Sequence, residues 1–128
     1  MLAGNKAFNS FAVDDLDSAK EFYEGTLGLK LTMIEELGLL QLEVGGGAPT
    51  MIYPRPDFTP ATYTVLHFSV DDVEQTVDEL GSRGVIFERY EGFDQDEKGI
   101  VRGDAPTGAW FKDPAGNILG IVEGGFSA

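Results

Sequence analysis

The chain of 128 residues contains no cysteine, which removes disulfides, thiolate metal sites and a cysteine nucleophile from consideration. Histidine is almost as scarce. With His67 alone, a metal site of two imidazoles, or of two imidazoles and a carboxylate, cannot be assembled within one protomer. Basic side chains are few, nine Lys and Arg against 22 Asp and Glu, for a formal net charge of −13. Such a field disfavours nucleic acid and anionic membrane and attracts cationic ligands, although an acidic surface serving solubility explains it equally. No apolar run approaches the roughly 20 residues of a membrane span, and no basic segment with an apolar stretch behind it marks a signal peptide, so the cytoplasm is the expected compartment. Gly45-Gly46-Gly47 is followed by neither Lys-Ser nor Lys-Thr and opens no helix, which excludes a phosphate loop. No serine stands in a nucleophile elbow, so acyl transfer has no support.

What the chain does have is a repeat. Val13-Asp14-Asp15-Leu16 recurs as Val70-Asp71-Asp72-Val73, 57 residues further on. Each copy follows an alternating apolar run and precedes a stretch of helical periodicity, and each then reaches glycine and β-branched or leucine-rich segments. Residues 7–13 alternate as a strand. Asp14 or Asp15 can cap a helix carrying Leu16, Ala19, Phe22 and Tyr23 on one face, which Gly25 and Gly28 bring to its end. Lys30 to Glu35, Leu39 to Val44 and Thr50 to Tyr53 read as three strands.

The second half repeats that order. A proline-studded stretch between Pro54 and Pro60 reads as a rigid crossover, since proline fixes φ and removes a donor. Thr64 to Val70 is a strand. Asp72 and Gln75 form a capping box for a helix packed through Val73, Val77 and Leu80. Val85 to Tyr90, Gly108 to Lys112 and Ile118 to Glu123 supply three more strands. The long charged segment from Gly92 to Thr107 suits a lid or binding loop. The expected organisation is a first βαβββ module over 1–54, a linker over 55–62 and a second module over 63–128, together one domain.

Two segments carry a family resemblance. Asp15-Leu16-Asp17-Ser18-Ala19-Lys20-Glu21-Phe22-Tyr23, running on to Leu27-Gly28-Leu29, resembles the first-helix signature of the vicinal oxygen chelate superfamily. That superfamily includes glyoxalase I, extradiol dioxygenases and bleomycin resistance proteins. Phe111-Lys112-Asp113-Pro114-Ala115-Gly116-Asn117-Ile118-Leu119 resembles its C-terminal hairpin signature. The resemblance implies an α+β fold of two tandem βαβββ modules forming a curved, mostly antiparallel eight-stranded sheet around a cavity, and a homodimer. It also implies a divalent metal held by one residue from each of four strands, and there this chain departs. The first-strand position, five residues before the valine of each Val-Asp-Asp, falls on Phe8 and on Val65. The last-strand glutamate position falls on Gly120, and the remaining ligand belongs near Met51 to Tyr53. None of these side chains suits a hard or borderline divalent cation, so no metal and no cofactor is expected.

The hairpin also has a physical reading of its own. Proline suits the first central turn position, Gly116 accepts positive φ, and the Asp113 side chain can tie down its own turn, which makes that aspartate structural.

Alternation then selects the candidate binding residues. Phe8, Ser10 and Ala12 share one face of the first strand, and Val65, His67 and Ser69 share the matching face of its counterpart, while Phe11, Val13, Phe68 and Val70 pack against the helices. His67 reads either as a general base or ligand partner or as a histidine satisfied by its surroundings. Trp110 reads either as a stacking platform or as core, and Tyr53, Tyr63 and Tyr90 carry the same ambiguity. Arg102 and Asp104 in the long loop, with Glu43 and Arg89 at strand ends, are candidates for polar fixation at a pocket mouth. The expected ligand-binding set is Phe8, Ser10, Tyr53, Val65, His67, Ser69, Arg102, Trp110 and Gly120. Two function classes follow. One is a metal-independent protein that binds or sequesters a small organic molecule, cationic or aromatic, as bleomycin resistance members do. The other is a lyase, isomerase or dioxygenase relative using a displaced metal site, or His67 as acid and base.

Overall fold

The computed structural model describes residues 1–103 and 106–124; Asp104 therefore lies outside the described residues. Contacts divide the chain into two units, Met1–Pro60 and Ala61–Ala128.

In the first unit, β1 (Asn9–Val13) leads into α1 (Leu16–Lys20) and a π-helical turn (Glu21–Thr26), then β2 (Lys30–Ile34), β3 (Leu39–Glu43) and β4 (Thr50–Pro54). Asp15 starts the helix because its extended backbone leaves a carboxylate free to accept from Asp17 N at 2.9 Å and from Ser18 Oγ at 3.1 Å. The π turn ends where Leu27 N donates to Phe22 O, and Gly28 follows at φ +71°, a value glycine adopts without a Cβ clash. The strands form one sheet in the order β1-β4-β3-β2, with β1 parallel to β4 and the other pairs antiparallel. Alternation puts Phe11, Val13, Leu31, Leu40, Leu42 and Ile52 on one face. All six are buried, as are Ala19 and Tyr23 from the helical segment that contacts this sheet. The opposite face carries Ser10, Ala12, Gln41, Met51 and Tyr53.

The second unit repeats the scheme with β5 (Thr64–Val70), α2 (Val73–Ser82), β6 (Gly108–Lys112) and β7 (Ile118–Glu123). Its sheet order is β5-β7-β6, again with the first strand parallel to the last. α2 is capped twice. Asp72 Oδ1 accepts from Gln75 N at 3.0 Å, and Glu123 Oε1, from the end of β7, accepts from Val73 N at 3.0 Å. The helix packs Val73 and Val77 toward the face formed by Ala109, Phe111, Leu119 and Ile121, all of them buried. The turn joining β6 to β7 is tied by Asp113, whose carboxylate accepts from Ala115 N, Asn117 N and Asn117 Nδ2 at 2.8–3.1 Å, both residues of that last pair being buried.

The expectation of a single continuous eight-stranded sheet is corrected: the described residues form two separate sheets, one of four strands and one of three. The missing strand is the one read at Val85 to Tyr90. Its backbone pairs with β6 through an isolated bridge, Phe87 to Phe111, and one bond from Glu88 N to Trp110 O. A side chain explains the interruption. Gln95 Nε2 donates to Glu88 O and Gly99 O, and Gln95 Oε1 accepts from Tyr90 N, so one amide satisfies groups that a ladder would otherwise pair. The described part of the long segment after it is also more ordered than a loose lid. It folds back through bridges Gln95 to Val101 and Val101 to Gly108, and buries Ile100 and Val101. Among the described residues no helix is long and apolar enough to cross a membrane.

Replacing Asp72 by Ala should lower the unfolding free energy by about 1 kcal/mol, the usual effect of losing an N-cap. Asp113→Ala should cost about 3 kcal/mol, because it strands buried N–H donors rather than exposed ones. Urea denaturation of the two variants checks that order.

Candidate functional site in the second unit

A row of three residues crosses the face of the second sheet that points away from α2. His67 on β5 is in register with Gly120 on β7, which is in turn opposite Trp110 on β6. The row depends on an irregularity. Between Thr64 and Leu66 the pairing slips, Thr64 matching Ile118 and Leu66 matching Leu119, so Val65 is a bulged extra residue. Thr64 and His67, three apart, consequently both reach Gly120. A Cβ built on Gly120 would stand 3.0 Å from His67 Cδ2 and 3.4 Å from both Thr64 Cγ2 and Trp110 Cδ1.

A cavity of about 140 Å³ opens beside this row, with every lining residue in the second unit. Its walls are apolar: Val101, Ala109, Ile121 and Val122, with Pro106 and the bare backbone of Gly108. His67, Trp110 and Phe93 complete it. Gly108 is there because nothing larger fits, since a Cβ would meet the carbonyl oxygen of Ile121 at 2.7 Å. Trp110 is half-buried and held between two rings, Phe93 at 5.1 Å and Tyr90 at 5.5 Å, the latter edge to face. Tyr90 Oη is buried and has no hydrogen-bond partner among the described residues. Burial, and then the nearby Glu88 carboxylate, push its phenol above the ordinary value. Leaving a buried hydroxyl unsatisfied costs about 1–3 kcal/mol.

The loop that supplies Phe93 and Val101 is pinned to α2 by charge. Arg102 bridges Glu74 at 2.8 Å and Asp96 at 3.2 Å, and Lys98 bridges Asp78 at 2.9 Å and Glu74 at 3.7 Å. Asp96 also ties the loop to itself, its Oδ1 accepting from Lys98 N and Ile100 N. Burial acts to raise the Asp96 carboxyl, but the Ile100 and Lys98 N–H groups and the Arg102 guanidinium outweigh it and hold the carboxyl below the ordinary 3.8.

Of the residues selected from the sequence, His67, Gly120 and Trp110 are brought together, and Ser69 lies opposite Val122 on the same face. Val65 is displaced into the bulge and does not line the cavity. Arg102 turns to α2 instead of the pocket. Phe8, 66% exposed, precedes β1, whereas Ser10 lies opposite Met51 and Tyr53 opposite Ala12 on the first sheet. Phe93, Val101, Pro106, Gly108 and Val122 escaped the sequence reading. Phe93 had a visible signal, a lone aromatic in a charged, glycine-bearing loop; Val122 and Gly108 became visible only once β6 and β7 were paired.

The donor set for the divalent metal implied by the fold is absent. Phe8, Val65 and Gly120 offer no ligand atom, and among the described residues no three His, Asp or Glu side chains gather in a metal-binding group. A carboxylate at position 120 would have to displace the His67 ring.

The match to known proteins agrees with this architecture. The model of the Glyoxalase/Bleomycin resistance protein/Dioxygenase superfamily matches residues 7–121, and the chain belongs to that superfamily. No curated protein matches it. Among solved structures it is similar to TnmS3, an antibiotic binding protein from Streptomyces sp. CB03234, with 24% identity and a TM-score of 0.74 over 98% of this chain and 99% of that one. It is also similar to the genomically encoded fosfomycin resistance protein FosX from Listeria monocytogenes, with 15% identity and a TM-score of 0.71 over 98% and 94% of the two chains. A superfamily member from Sphaerobacter thermophilus DSM 20745 gives 21% identity and a TM-score of 0.70 over 96% and 99%. At these identities the likeness is one of fold.

Gly108→Ala should destabilise the protein by about 2–3 kcal/mol, since its Cβ meets backbone, and Gly120→Ala by about 1 kcal/mol, since the His67 ring can turn aside. Thermal melts of both variants test the difference. The Asp96 contribution to loop order should be complete above the ordinary aspartate pKa and disappear as pH falls through the depressed folded value, because protonation costs the native state more than the unfolded one. Limited proteolysis at residues 94–99 across pH 2–6 should show cleavage rising only in the acid range, and Asp96→Asn should flatten that profile.

Proposed function

We propose that this chain is a metal-independent binding protein for a small organic molecule, and that the molecule presents one aromatic ring to the cavity beside His67, Gly120 and Trp110. The observation that carries the reading is Gly120. Where the fold would place a ligating carboxylate there is bare backbone, crowded on both sides by an imidazole and an indole. The volume supports a ring of benzene size, since an apolar protein cavity of about 150 Å³ admits benzene, and the lining supports an apolar guest with few polar demands. A net charge of −13 favours a cationic substituent on that ring. Likeness in fold to an antibiotic binding protein and to a fosfomycin resistance protein is in keeping with sequestration as the biological outcome. The proposed assembly is a homodimer in the cytoplasm, with exposed Phe8 and Leu37 in the first unit, and Tyr63 and Ile86 in the second, as apolar side chains available for self-association.

One observation favours a second reading. His67 is solvent-accessible at the cavity edge, where an imidazole can act as acid or base toward a bound molecule, in an enzyme related to lyases, isomerases or dioxygenases.

Titration with benzylammonium, acetophenone, ethylbenzene and pyruvate, followed by melting temperature and by the emission of Trp110, separates these readings. The three single-ring compounds should raise the melting temperature and change the emission of the sole tryptophan, and pyruvate should do neither. No response to any ring would overturn the binding reading. Elemental analysis gives an independent check: stoichiometric transition metal lost on His67→Ala would sink a metal-independent function.

A further inference from the structure

Of the nine residues around the cavity, only His67 and Trp110 carry a polar side-chain atom. Trp110 presents its donor openly. Its Cδ1, the carbon bonded to Nε1, would stand 3.4 Å from a Cβ at position 120, so the N–H edge of the indole borders the ground that Gly120 leaves bare. A side chain at that position would press on this edge. Among the described residues Trp110 has ring partners, Phe93 and Tyr90, but no acceptor for its N–H. Nor is Nε1 one of the polar atoms shut away from solvent without a partner. The N–H is therefore open to whatever occupies the site.

An open N–H on an otherwise apolar wall is satisfied by water until a guest displaces that water. A hydrocarbon guest then strands the donor, whereas a guest with an acceptor oxygen restores the bond. The rings of Phe93 at 5.1 Å and Tyr90 at 5.5 Å hold the indole between them, which gives the donor a set direction. We propose that the Trp110 indole N–H is the specificity-determining donor of this site, and that it selects guests carrying an acceptor oxygen on the ring or one atom from it. A neutral carbonyl suits it better than a carboxylate, which a net charge of −13 repels. The ligand class becomes a neutral aryl carbonyl compound. The inference rests on the proposed binding function and narrows its ligand.

Acetophenone and ethylbenzene test it, being nearly the same shape and differing in the acceptor. Trp110 is the sole tryptophan, so a single indole N–H resonance in a proton–nitrogen correlation spectrum reports on the donor in the unaltered protein. Both compounds should bind, and the indole proton should lie further downfield with acetophenone than with ethylbenzene. Replacing Trp110 by β-(3-benzothienyl)alanine exchanges the N–H for sulfur at nearly constant shape. Calorimetric titration of that protein should show acetophenone losing about threefold to tenfold more affinity than ethylbenzene, the worth of one hydrogen bond. An indole proton that moves alike with both compounds, or an equal loss for both in the sulfur analogue, would overturn the proposal while leaving the binding function intact. If neither compound binds the unaltered protein, the binding function fails and the proposal with it.

Discussion

The parallel ladder between β5 and β7 governs the geometry of the second unit, because three other features are hung on it. It aligns His67 with Gly120, and through the antiparallel pairing of β7 with β6 it brings Trp110 to the far side of the same glycine. At its end, Glu123 turns back to cap α2, so the strand that floors the cavity also holds the first turn of the helix beneath it. Parallel strands of this kind need a crossover, and the capped helix opens that connection, which returns through β6. Cap, ladder and floor are thus mutually dependent parts of one unit.

A second constraint comes from the amide of Gln95. By occupying backbone groups at Glu88, Tyr90 and Gly99, it ends the pairing of this segment with β6 after a single bridge. Val101 takes over as the partner of Gly108. That exchange lets the chain leave the sheet and return with Phe93 and Val101 as cavity walls, while the ion pairs to α2 hold the excursion in place. The pairs are half-exposed and individually weak; their value lies in acting together with buried Ile100.

The sequence disclosed the helix caps and seven of the eight expected strands, because each rests on local chemistry: an aspartate before a helical period, glycine after it, alternation in between. It disclosed the non-ligating residues at 8, 65 and 120 as well, since identity alone decides whether a side chain can hold a metal. What remained hidden depended on pairing. Val85 to Tyr90 alternates as a strand should, and nothing local announces that a glutamine five residues further on will claim its backbone. Val65 shares parity with His67 in the sequence, and only the register with β7 separates them. Arg102 looked like a pocket residue because loops often carry such residues; the acidic face of α2 drew it away.

The bulge at Val65 has a confined consequence. The first unit pairs β1 with β4 without interruption from Asn9 to Val13, and the residues 57 further on, Leu66 to Val70, pair as evenly with β7. The slip lies just before that shared run, where β5 begins two residues earlier than the equivalent of β1. The extra residue therefore leaves the common frame of the two opening strands intact and acts on the added end alone, where it brings Thr64 beside Gly120.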